Sequence, residues 1–115
     1  MQKSSLNSLL DRHLATARAA ASGRSAKTLY GGHQRSLRQT LITLTAGQRL
    51  DEHETPGEAT VHVLHGRVRL ATNDDETCDG VAGDLIVVSD CRHTLEALDD
   101  TAVILTVAKG NYGTQ

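Results

Sequence analysis

Two hydrophobic periods divide the chain. Between residues 4 and 22, Leu6, Leu9, Leu10 and Leu14 recur at helical spacing, and an alanine-rich stretch that favours helix follows them. Ser4 or Ser5 offers an N-cap and Gly23 a stop, so the pattern predicts a short helix over 4–22. The leucine stripe is narrow and ends at Leu14. The helix is therefore expected on a surface or on a partner subunit, with Ala15, Ala17 and Ala19 to Ala21 adding propensity and not burial. His13 is expected to be a surface residue of it.

From Ser25 onward the period becomes two. Residues 37–45 alternate as a strand with both faces partly apolar, and Ala46-Gly47 breaks it. Residues 50–58 are polar and lead through a Pro56-Gly57 turn. Strands are then predicted over 59–64 and 68–72, joined tightly at Gly66, and a turn falls at Asn73-Asp74-Asp75. Leu85 to Val88 reads as a short buried strand; 93–98 and 101–108 close the series across a turn at Asp99-Asp100. Many short strands with glycine- and aspartate-marked turns predict an all-β fold, a small antiparallel β-barrel with a short N-terminal α-helix. The expected division is a helix over 1–24, one barrel domain over 25–110 and a frayed C-terminus over 111–115.

Composition narrows the partners. The 115 residues amount to one domain, and without Phe or Trp its core must be built from Val, Leu, Ile and Ala. The net charge of −2 is spread without a basic stripe, and only Tyr30 and Tyr112 carry rings large enough to stack. Nucleic acid is therefore not an expected partner. No apolar run reaches the length of a membrane span, and the N-terminus lacks the apolar core of a secretion signal, so the expected compartment is the cytoplasm. Cys78 and Cys91 are too few for a disulfide framework and are expected reduced there.

Candidate chemistry centres on the histidines. Gly47, five residues, His53-Glu54-Thr55, and later Gly66 resemble the first motif of the cupin superfamily, a glycine, five residues, His-x-His, a short gap, Glu, six residues and glycine. Gly83-Asp84-Leu85-Ile86-Val87-Val88, with Ser89 at the usual proline and His93 after a turn one residue short, resembles the second. The resemblance covers about half the chain and implies a barrel of the cupin (jelly-roll) type, commonly paired into a homodimer through an outer sheet face. It also implies a divalent transition metal (Fe, Mn, Ni or Zn) held by histidines and a carboxylate pointing into the barrel. Here the second motif histidine is Thr55 and the glutamate position falls on Ala59, with Glu58 one residue early. Two histidines seldom hold such an ion tightly.

The metal candidates are therefore His53, His93 and, if the turn at Pro56-Gly57 absorbs the offset, Glu58. Val61 and Val63 face inward by alternation and are candidates for lining a ligand pocket with the two histidines. The same alternation turns Glu54 and His62 outward; His65 at a strand end and His33 in a glycine loop are expected at the surface. Cys91, two residues before His93, can serve as a soft ligand or a reactive thiol, and equally as a turn residue without a role; Cys78 in a polar hairpin carries no signal. Arg67 and Arg69 share a strand face that can clamp an anion, though such a pair is more often a solvated face.

Two functions follow. The first is a non-catalytic or sensing module that binds a small molecule in the barrel, with His53 and His93 as its polar groups. The alternative is a small metal-dependent enzyme of dioxygenase or isomerase type, which requires Glu58, or a less favoured residue, to turn inward beside the two histidines; a blander third reading is a structural dimer without any ligand.

Overall fold

The computed structural model describes residues 1–32, 34–53, 58–72, 76–88 and 93–108, with the backbone only for 51–53. Among the described residues one helix precedes nine strands: α1 (Leu6–Ala19), β1 (Arg24–Tyr30), β2 (Leu37–Leu44), β3 (Arg49–His53), β4 (Glu58–His65), β5 (Arg67–Thr72), β6 (Thr77–Val81), β7 (Leu85–Val88), β8 (His93–Ala97) and β9 (Thr101–Ala108). They form a five-stranded sheet in the order β1-β2-β9-β4-β7 and a four-stranded sheet in the order β3-β8-β5-β6. Every pairing among the described residues is antiparallel. The architecture is thus all-β, with one short helix at the N-terminus.

Strict alternation places the core between the sheets. In β4, Ala59, Val61 and Val63 are buried while Thr60, His62 and Leu64 are half-buried on the other face. Val68 and Leu70 of β5, Leu95 and Ala97 of β8, and Val103 and Val107 of β9 complete the same interior. With no large ring available, β-branched and leucine side chains fill it.

The chain passes from one sheet to the other at Gly66, whose φ is +82°. A Cβ there would run into the Asp100 carbonyl oxygen and the Thr101 side chain, so this position accepts only glycine without a backbone shift. Thr101, buried against that turn, accepts from the Arg67 N–H at 3.1 Å and lies 3.0 Å from the Arg67 carbonyl and 2.9 Å from that of Asp99.

Several sequence expectations change. The helix lies on the chain's own sheet: Leu9 packs with Leu41, Ala102 and Ile104 on the outer face of the five-stranded sheet, and Leu10, Leu29 and Leu64 border that cluster. Ala17 is fully buried, so it contributes packing as well as propensity, because its small side chain lets the last turn approach the strands. His13 is half-buried and not a surface residue: its Nδ1 lies 2.8 Å from Ser25 Oγ, and its carbonyl accepts from the Thr43 hydroxyl at 3.1 Å. Arg18 near the helix end donates to Asp100 at 2.8 Å, tying the helix to the β8–β9 turn.

Strands β1, β3 and β6 are sheet edges that weak alternation left unmarked or read as polar connection. Conversely, 85–88 is not a buried strand. As β7 it forms an edge, with Val88 buried but Leu85 and Val87 62% and 78% exposed, so a continuous apolar run here has only one face in the core.

Candidate functional site

The four-stranded sheet aims its inner face at a cavity of about 150 Å³ beside β7. Leu70 of β5 with Ile86 and Val88 of β7 form its apolar wall, and Thr72, Glu76 and His93 its polar end. Cys78 of β6 also borders it. His93 is buried because β8 alternates, with His93, Leu95 and Ala97 turned inward and Thr94 and Glu96 half-buried on the other side. Its cross-strand partners are Thr72 on β5 and His53 on β3, so the register brings the two sequence-predicted histidines to adjacent positions of one sheet.

The other expected site residues are distributed differently. Val61 and Val63 are essentially inaccessible members of the core, and the cavity is bounded by residues of β5 to β8 and Glu76. Glu58 is exposed at the first position of β4, on the same side of the strand as Thr60 and His62. Ala59, at the glutamate position of the motif, is the neighbour that turns inward and is 4% exposed. His62 lies on the outward side of the alternation, and His65 is exposed at the strand end. The side chain of His53, and Glu54, Thr55, Cys91 and His33, lie outside the described residues.

Among the described side chains, the donors do not fit the metal that a cupin barrel implies. The one inward position available to the motif carboxylate carries a methyl group, and the carboxylate beside it occupies the opposite parity. Among the described side chains no three of His, Cys, Asp and Glu are grouped closely enough to hold an ion.

Two residues that sequence reasoning passed over, Glu76 and Cys78, reach the cavity. Together with Gly80 they share the period of two, and Gly80 stands opposite buried Val68. That spacing is the one available signal, but no apolar side chain marks it. Arg67 and Arg69 are on the outer face, each already engaged. Arg69 donates to Asp79 through Nε at 2.8 Å and Nη2 at 3.0 Å, and Arg67 Nε lies 3.4 Å from Asp99. The forked Arg69 guanidinium lowers the Asp79 pKa, and this pair is solvated on the opposite side of the strands from the cavity. Asp100 is likewise lowered, first by Arg18 and then by the Ala46 N–H.

A larger groove of about 440 Å³ lies on the outer face near the start of α1, floored by Leu6, Leu29, Leu37 and Ile104. Among the described residues it holds neither histidine nor carboxylate, so the smaller cavity is the better chemical site.

Comparison with known proteins identifies the fold. No family model matches the chain, and no curated protein matches it. A conserved protein of unknown function from Streptococcus pyogenes is 28% identical, with a TM-score of 0.71 over 80% of this chain and 79% of its own. A cupin superfamily protein from Desulfitobacterium hafniense aligns at a TM-score of 0.69 and 17% identity, over 76% of this chain and 78% of its own. A mutant of salicylate 1,2-dioxygenase from Pseudoaminobacter salicylatoxidans aligns at 0.72 and 22% identity over 88% of this chain but 34% of its own.

Proposed function

We propose that this chain, a small cupin by fold, binds a small organic molecule in the cavity between β5, β6, β7 and β8 and acts as a non-catalytic or sensing module. One observation carries the reading. The inward position that would supply a metal carboxylate is Ala59, while an apolar wall and a polar end with buried His93 bound a cavity nearby. Such a pairing of apolar surface with a few placed polar groups is what small-molecule sites use. A volume near 150 Å³ suits a guest about the size of benzene.

His93 would orient the guest by hydrogen bonding, with its ring held by the inward alternation of β8. Thr72, its cross-strand partner, adds a hydroxyl that donates or accepts.

Thermal-shift screening with small organic molecules tests the proposal. A ligand at one hundred times its Kd raises stability by about 2.7 kcal/mol through mass action. That shift is expected in the native chain and should shrink in His93→Ala. Metal content of protein purified without chelators is expected well below one equivalent. Stoichiometric metal that disappears in His53→Ala/His93→Ala would favour a metal site instead.

A further inference from the structure

Among the described residues, the lining of the cavity is lopsided in charge. Glu76 is the one acidic side chain among the described lining residues, and no lysine or arginine accompanies it. The backbone places it there: the Thr72 N–H donates to the Glu76 carbonyl at 2.9 Å, continuing the β5–β6 ladder one rung beyond Thr77. Thr72 in turn pairs with His93 across β5 and β8, so Glu76, Thr72 and His93 fall in one row of the four-stranded sheet. The arginines of β5 cannot neutralise that row. Arg67 and Arg69 sit on the opposite side of the strand from Val68 and Leu70, engaged with Asp99 and Asp79. Among the described residues, the ion pairs involve Asp79, Asp99 and Asp100, and none involves Glu76.

We infer that the cavity selects a ligand with a protonated primary amine as its head and a short aliphatic body, and discriminates against the matching carboxylate; this rests on the reading of the cavity as the ligand site. Glu76 would accept charge-assisted N–H hydrogen bonds from the ammonium, with Thr72 beside it as a further acceptor. The alkyl body would lie on Leu70, Ile86 and Val88. An anionic head would meet like charge in a small space without a compensating cation among the described residues, a repulsive element that gives specificity.

Three probes with one tail test it: n-butylammonium, butan-1-ol and butyrate, titrated into methyl-labelled protein while the Ile86 and Val88 signals are followed. Butylammonium should bind about fivefold more tightly than butanol, the size allowed to a partly solvated ion pair, and butyrate most weakly. Added salt should narrow the ammonium preference. In Glu76→Gln, at an exposed position where folding is tolerant, ammonium affinity should fall to that of the alcohol, with the alcohol unchanged within about twofold. Cys78→Leu, which narrows the cavity, should weaken all three. Butyrate binding most tightly at these methyls, or an ammonium preference that survives Glu76→Gln, would overturn the inference and leave a ligand site of other specificity. Shifts of none of the cavity methyls with any probe would overturn both the inference and the reading beneath it.

Discussion

Thr101 shows how much one buried polar side chain can organise. It is 1% exposed, and its hydroxyl serves the Arg67 N–H while facing two carbonyls at the corner where the sheets are joined. Thr101→Val keeps the shape and removes the acceptor, leaving the part-buried Arg67 N–H without its partner. It should cost about 1–3 kcal/mol in urea unfolding, with an unchanged m-value. Asp100 makes the adjacent corner pH-sensitive. Its folded pKa is held down by the Arg18 guanidinium and the Ala46 N–H, so the carboxylate stabilises the fold above its ordinary pKa. That contribution fades as pH falls through the depressed folded value. Because the pair is substantially solvated, Asp100→Asn should lose only about 0.5–1 kcal/mol at pH 7, and native and variant stabilities should converge in acid. His93 was legible at this scale because alternation through Leu95 and Ala97 fixes its direction. Glu76 and Cys78 were not, because their strand has no large inward residue to reveal its phase; its buried inward position is Gly80.

At the scale of elements, strand position decides how visible a strand is in the sequence. Central strands β4, β5 and β8 carry burial patterns that follow directly from their hydrophobic periods, whereas β9 is buried on both faces along its first four residues. Edge strands β1, β3 and β6 have polar or charged residues such as Lys27, Asp51 and Asp79, which suit an edge and erase the pattern. The edge strand β7 misleads in the other direction, since its four apolar residues imitate a strand buried on both faces. Of the two placements expected for the helix, a surface or a partner subunit, the chain's own outer sheet face is the one found: its few leucines suffice because that face offers Leu41, Ala102 and Ile104. Leu14, 5% exposed, should therefore behave as a core residue. Leu14→Ala is expected to destabilise by about 2–4 kcal/mol in chemical unfolding. A loss below about 0.5 kcal/mol, typical of a surface site, would contradict this packing.

For the molecule as a whole, the described residues of the two sheets provide more barrel than metal site. The glycine spacing, the β4 alternation and the cross-strand placement of His53 and His93 reproduce the cupin frame. Substitution of the inward glutamate position by Ala59 removes a charged ligand from that frame. What remains is an apolar wall from β5 and β7, with Thr72, Glu76 and His93 at its polar end. The sequence motif located two of the histidines but could not locate this cavity, since its walls come from four strands whose register is a tertiary property.

The most direct measurement is a fragment screen read by methyl and imidazole NMR signals on the intact chain. Binding in the cavity predicts saturable shifts centred on Leu70, Ile86, Val88 and His93, reduced in Cys78→Leu. Shifts confined to Leu29, Leu37 and Ile104 would instead place binding in the outer groove and contradict the proposed site.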